Sequence, residues 1–188
     1  MKIAIIGSGY FGSTIALILS KKHNVDLYEK EKDILNGASK VNQFRFHLGF
    51  HYPRSPKTIK EINLSQKLFK SFFSNKVFGN TKNYYAVANE NSKTSFFKYL
   101  KFLKRFKLNH QILKKNKYKK ISNLILTKEK ILNYFIMKKI LKKKLSESDV
   151  NLLLKKKFSK KYLSLYDKII VCGYSQNNKI LKELGFKK

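Results

Sequence analysis

Gly7-Ser8-Gly9-Tyr10-Phe11-Gly12, near the start of the chain, has the spacing G-x-G-x-x-G. In such a stretch the first glycine permits a tight turn, the second lets the backbone approach a pyrophosphate, and the third allows a helix to pack closely. A helix that begins here offers N–H groups and partial positive charge to the phosphate. Ala16, one turn further on, keeps that packing tight. Glu29 stands 22 residues after Gly7 and 17 after Gly12, the spacing at which a carboxylate accepts hydrogen bonds from the ribose hydroxyls of an adenosine dinucleotide. The same charge would repel a 2′-phosphate, so NADP is disfavoured.

A second constellation follows. In the segment 44–52, Phe44, Phe46, Leu48, Phe50 and Tyr52 alternate with Arg45, His47, Gly49 and His51. Period-two alternation predicts a strand with Arg45, His47 and His51 on one polar face. An arginine beside two imidazoles, with a glycine leaving room for a flat ring, suits contact with a flavin or an anionic substrate. Structural hydrogen bonding is the plain alternative for the histidines. Arg54 fits a carboxylate or phosphate, or equally a structural salt bridge. Zinc is disfavoured, because no nearby acid completes a ligand set. Cys172 is the only cysteine, which excludes an intrachain disulfide and a cysteine-based zinc site; it reads as a small buried hydrophobe. Tyr84 and Tyr85 read as core aromatics, with a substrate pocket as the alternative.

The elements that must position these groups open as strand, glycine turn, helix and strand. The apolar run 3–6 suits a buried parallel strand, 10–22 a helix with Phe11, Ile15, Leu17, Ile18 and Leu19 available to the core, and 25–28 a second strand. This is a βαβ unit with a right-handed crossover. Residues 31–40 are polar and turn-like. Helices are predicted over 58–73 (Ile62, Leu64, Leu68, Phe69, Phe72 and Phe73 inward), 95–106 and 128–145, and strands over 84–88, 150–154 and 169–172.

The 188 residues suffice for one domain, or one and part of a second. With 43% hydrophobic residues the chain can bury a core. The net charge of +31 points at face value to nucleic acid or an anionic membrane surface. Yet only three of the 42 basic residues are arginine, the side chain suited to bidentate phosphate and base recognition. The lysines, including the clusters 114–120 and 142–144, therefore read as solvated surface, and a nucleic-acid partner is disfavoured; a basic amphipathic helix at a membrane is the alternative for the second cluster. The N-terminal apolar run is broken by glycines and is too short for a membrane span, and the expected location is cytoplasmic.

Gly37-Ala38-Ser39-Lys40-Val41-Asn42-Gln43, running on through Arg45 to Arg54, resembles the segment after the second strand in the D-amino-acid oxidase superfamily. Residues 166–175, Tyr-Asp-Lys-Ile-Ile-Val-Cys-Gly-Tyr-Ser, look like the strand and turn that return to the FAD-binding domain in that family. The resemblance implies FAD in preference to NAD, which the glycine pattern alone leaves open. It implies cofactor contacts at Gly7, Ser8, Gly9, Tyr10, Phe11, Gly12, Glu29, Lys30, Ala38, Ser39, Asn42, Gln43, Arg45 and His47, and substrate contacts at His51 and Arg54. The implied fold is α/β: a Rossmann-type FAD-binding βαβ unit with a parallel sheet, plus a partial α+β region like a substrate domain. The expected division is 1–80 for FAD binding, 81–165 as the cap-like part and 166–188 as the returning strand. The implied activity is oxidation of an amine, amino acid or related small molecule with hydride passing to flavin. The chain is short for this family, so a truncated or inactive member and a complementing C-terminal polypeptide are further expectations.

Overall fold

A computed structural model of the protein describes residues 1–113 and 118–186. The chain opens with β1 (Lys2–Ile6), α1 (Tyr10–Leu19) and β2 (Asn24–Tyr28). Its middle holds β3 (Arg45–Phe46), α2 (Pro56–Phe72), β4 (Phe78–Gly79), β5 (Asn83–Ala88), α3 (Phe96–Arg105), β6 (His110–Leu113), β7 (Ile121–Thr127) and β8 (Lys130–Leu132). It closes with α4 (Tyr134–Ser146), β9 (Val150–Leu153), β10 (Lys168–Val171) and α5 (Asn177–Glu183). Two compact units result: Met1–Asn42 with Tyr134–Lys188, and Gln43–Asn133. These cuts fall at 42/43 and 133/134, where the sequence reading drew lines at 80/81 and 165/166. Compactness and the assignment of stretches to cofactor or substrate are different criteria.

The first unit is a parallel sheet in the order β10-β1-β2-β9. Ile3 pairs with Val25 and Ile5 with Leu27, which puts these four on one face, while Ala4, Ile6 and Tyr28 share the other. The first face is covered by α1 and α4, which pack on each other; the second lies under Phe158, Tyr162, Tyr166, Ile180 and Leu184. Both faces being buried explains why β1 is apolar from Ile3 to Ile6 rather than alternating. The helix α1 turns Gly12, Ser13, Ala16 and Leu17 inward. Phe11 and Ile18, expected in the core, are 72% and 58% exposed, because close approach selects the small-residue stripe.

The second unit holds two antiparallel sheets, β3-β8-β4 and β5-β7-β6. Its core gathers Phe50, Ile59, Val87, Tyr99, Phe102, Leu103 and Ile125. Ser55 caps α2 by accepting the Thr58 N–H, and Pro56 occupies the first helical turn, where its missing N–H costs nothing. On α2, Ile59 is buried but Leu64 and Leu68 are exposed, contrary to expectation. Three further corrections concern periodicity. Residues 44–52 are not one strand: only Arg45–Phe46 pairs, with β8, and positive φ at Phe44 and Gly49 breaks the pleat on either side. The expected helix over 128–145 starts only at Tyr134, since Lys130–Leu132 pairs as β8 with both β3 and β4. The strands β6 and β7 were not foreseen. Of the lysine cluster 114–120, residues 114–117 lie outside the described residues, while Lys119 and Lys120 are exposed.

Candidate functional site

In the first unit the glycine turn joins β1 to α1. Gly7 has φ +102°, and a Cβ there would stand 2.7 Å from the Cys172 carbonyl oxygen. A Cβ on Gly12 would fall 1.8 Å from the Gly7 carbonyl oxygen, so only glycine lets α1 start this close to the strand. Gly9 is the N-cap and supplies no side-chain cap, and the first turn holds no acid. The turn is thus a backbone-lined concavity at the positive end of a helix, with the shape and sign for a pyrophosphate.

Glu29 closes the turn from the end of β2. One of its carboxylate oxygens, Oε2, accepts both the Ser8 N–H and the Ser8 hydroxyl, each at 2.8 Å, and Oε1 accepts the Glu31 N–H at 2.9 Å. Ser39 reaches the turn from the short 3-10 segment Ala38–Lys40, its Oγ accepting the Tyr10 N–H at 3.0 Å. Asn42 donates to the Ser39 carbonyl at 3.3 Å. Burial pushes the Tyr10 phenol up to about 12. Gly7 to Gly12, Glu29 and Ser39 are therefore brought together; Lys30 and Ala38 are exposed nearby in sequence but carry no comparable contact to the turn. Cys172, expected as a small buried hydrophobe, is half-buried, and burial raises its thiol.

Gln43, Arg45, His47, His51 and Arg54 belong to the second unit. Although the pleat is lost, a turn at Gly49, whose carbonyl accepts the Tyr52 N–H, gathers the same side chains by another route. The His47 and His51 rings lie 6.1 Å apart, His51 is 6.4 Å from the Tyr85 ring, and the Arg45 guanidinium stands 5.1 Å above that ring. Gln43 is exposed. A cavity of about 460 Å³ adjoins this cluster, lined among others by His51, Arg54, Tyr85, Ser92, Lys93 and Thr94. Its polar lining is cationic and hydroxylic, suited to an anionic group on a small molecule. Tyr85 is half-buried and lines the cavity, whereas Tyr84 is exposed.

Glu129, which the sequence reading passed over, organises this cluster from below. It is 1% exposed. Its carboxylate accepts the Leu48 N–H at 2.8 Å and the Tyr85 hydroxyl at 2.5 Å, and lies 3.8 Å from His47 Nδ1. Its main-chain carbonyl accepts from Asn83 Nδ2 at 2.7 Å. Burial works to raise its carboxyl, but His47, Tyr85 and the Leu48 N–H outweigh that and hold it below the usual range. Burial, seconded by Glu129, raises the Tyr85 phenol. The available signal was compositional: with only 11 acids in 188 residues, one placed among Lys128 and Lys130 is as conspicuous as Arg54.

No cluster of metal-ligating side chains occurs among the described residues, and no helix there is long and apolar enough to cross a membrane.

Residues 2–131 match the family model described as FAD dependent oxidoreductase. The FAD-dependent monooxygenase FPY4 of Fusarium mangiferae is 44% identical over 57 residues, 30% of this chain and 15% of that protein. Glycine oxidase from Geobacillus kaustophilus shares the fold at TM-score 0.78 and 12% identity, over 98% of this chain and 58% of its own. L-α-glycerophosphate oxidase from Mycoplasma pneumoniae, solved with FAD bound, aligns at TM-score 0.59 and 22% identity, over 82% of this chain and 44% of its own. The chain thus spans little more than half the length of the glycine oxidase. The cradle at Gly7 and Gly12, the carboxylate at Glu29 and a family match over more than half of the sequence agree: this chain belongs to the FAD dependent oxidoreductases of the D-amino-acid oxidase type, whose cofactor is FAD.

Proposed function

We propose that the chain binds FAD through its glycine turn and serves in the oxidation of a small amine, amino acid or hydroxy compound that carries an anionic group. The observation that carries this reading is the turn itself, closed to any side chain at Gly7 and Gly12 and locked to Glu29 through Ser8. The α1 N-terminus and the backbone of Gly7 to Gly12 hold the pyrophosphate. Glu29 accepts from the ribose hydroxyls, with Lys30, Ala38, Ser39 and Asn42 as further cofactor contacts in the same unit; Gln43, Arg45 and His47 are the cofactor contacts proposed for the second unit. His51 and Arg54, with Lys93, hold the substrate's carboxylate or phosphate in the cavity. FAD, when bound, supplies the hydride acceptor. A complementing C-terminal polypeptide is the partner this reading adds beside the small-molecule substrate. A cytoplasmic setting agrees with the lone cysteine.

The test is the visible absorption spectrum of the purified protein, with and without added FAD, after gel filtration. Flavin bands that co-elute with the protein are expected. A colourless protein that neither retains nor titrates FAD, yet is folded by circular dichroism, would overturn the proposal.

A further inference from the structure

The buried acid of the second unit, Glu129, is no part of the glycine turn. Removing a carboxylate from water is expensive, and ionised acids are seldom retained inside proteins unless paired. Glu129 is fully enclosed, and its carboxylate accepts from the Leu48 N–H and the Tyr85 hydroxyl and faces the His47 ring, groups that belong to or touch the segment that holds the candidate ligand residues. Its own backbone is pinned at both ends, the N–H donating to Thr127 Oγ1 and the carbonyl accepting from Asn83. It is a rigid anion with a fixed aim.

The consequence falls on His47. Of the two ring nitrogens, Nδ1 is the one that faces the carboxylate, at ion-pair rather than hydrogen-bond distance. A neutral imidazole can carry its proton on either nitrogen, and the choice is set by what the other groups around it offer. A bare Nδ1 lone pair facing Glu129 would set two electron-rich atoms against each other in a site shielded from water, while a proton on Nδ1 turns the same geometry attractive. Nε2, on the far side of the ring, is then left as the acceptor; the His47 side chain is 37% exposed although Nδ1 itself is buried, so the open part of the side chain lies away from that nitrogen. The ring is held in place by Tyr52 edge-on at 5.9 Å and by His51 at 6.1 Å.

We propose that Glu129 is a positioning residue that fixes the His47 imidazole with its proton on Nδ1, so that Nε2 is presented as the hydrogen-bond and proton acceptor for a ligand N–H or O–H. In a proton transfer of this kind the ligand's N–H or O–H bond breaks, its proton bonds to Nε2, and the resulting imidazolium stands beside the Glu129 anion. The inference deepens the functional reading and draws its catalytic meaning from it, but the tautomer itself requires neither cofactor nor substrate.

The test is nitrogen-15 NMR of the full chain labelled at histidine, above neutral pH, with the His47 signals assigned by loss in His47→Gln. The wild-type protein is expected to show a pyrrole-type Nδ1 and a pyridine-type Nε2 at His47. In Glu129→Gln, with folding checked by circular dichroism, the pattern is expected to shift toward the Nε2–H form. A wild-type His47 that already carries its proton on Nε2 would overturn the proposal without recourse to any variant, as would a folded Glu129→Gln whose pattern is unchanged. Failure of the protein to take up FAD would count against the functional reading and leave the tautomer result standing.

Discussion

Glu29 and Glu129 are two acids with opposite assignments, and their surroundings account for the difference. Glu29 is partly exposed and spends its oxygens on main-chain and hydroxyl donors of the glycine turn and its neighbour Glu31. It can share those oxygens with sugar hydroxyls, and a hydrogen bond to a charged group contributes about 1.5–3 kcal/mol. Glu29→Gln keeps the size and removes the charge, and is expected to weaken FAD binding by about 10- to 100-fold, measured by fluorescence titration. Unchanged affinity would show that the ribose lies elsewhere. Glu129 is walled off and acts only through the groups it touches. The sequence made Glu29 legible because its signal is a spacing within one βαβ unit. Glu129 was not, because its burial depends on Asn83 and Tyr85, 46 and 44 positions earlier in the chain.

Elements marked by a short apolar run set between glycine or polar residues were the readable ones. The strands β1 and β2 and the helix α1 were visible as an apolar run, a glycine turn and a second apolar run, since parallel pairing with both faces buried leaves little else. The segment 44–52 misled because a perfect alternation of residue types was read as a perfect pleat. The positive φ at Gly49 needs no side chain to declare it, and only the packed structure shows Ile59 Cδ1 2.7 Å from where a Cβ would sit. β6 and β7 were missed because they flank a lysine-rich stretch and find their hydrogen bonds in one another and in β5. Gly49→Ala tests how much the turn matters. Left-handed strain and the clash with Ile59 together are expected to cost about 1–3 kcal/mol in urea unfolding. A change under about 0.5 kcal/mol, the range of neutral surface substitutions, would mean that the turn adapts freely.

For the molecule as a whole, 42 basic residues against 11 acidic ones make each carboxylate count. Self-repulsion opposes compactness in such a chain, and the acids that offset it are few and specifically placed. Asp33 holds Lys138 at 3.0 Å and Lys142 at 3.2 Å, tying α4 to the loop after β2. Burial works to raise the Asp33 carboxyl, but the two lysines outweigh it and hold it below its ordinary value of 3.8. Glu129 is likewise held below its ordinary 4.5. A carboxyl depressed in the folded state binds fewer protons there than in the unfolded chain, so stability rises with pH across that window. The stabilisation is therefore complete above the ordinary carboxylate range and is lost as pH falls through it toward the folded values. Melting temperature is expected to drop between about pH 5 and pH 3, more steeply in the wild type than in Glu129→Gln. Salt separates the two acids: at about 0.5 M it screens the exposed lysine field and weakens the Asp33 pairs, but reaches the enclosed Glu129 poorly. The difference in slope between wild type and Glu129→Gln should persist at high salt. Its disappearance in calorimetric scans would mean that the acid sensitivity belongs to the surface charge and not to the buried acid.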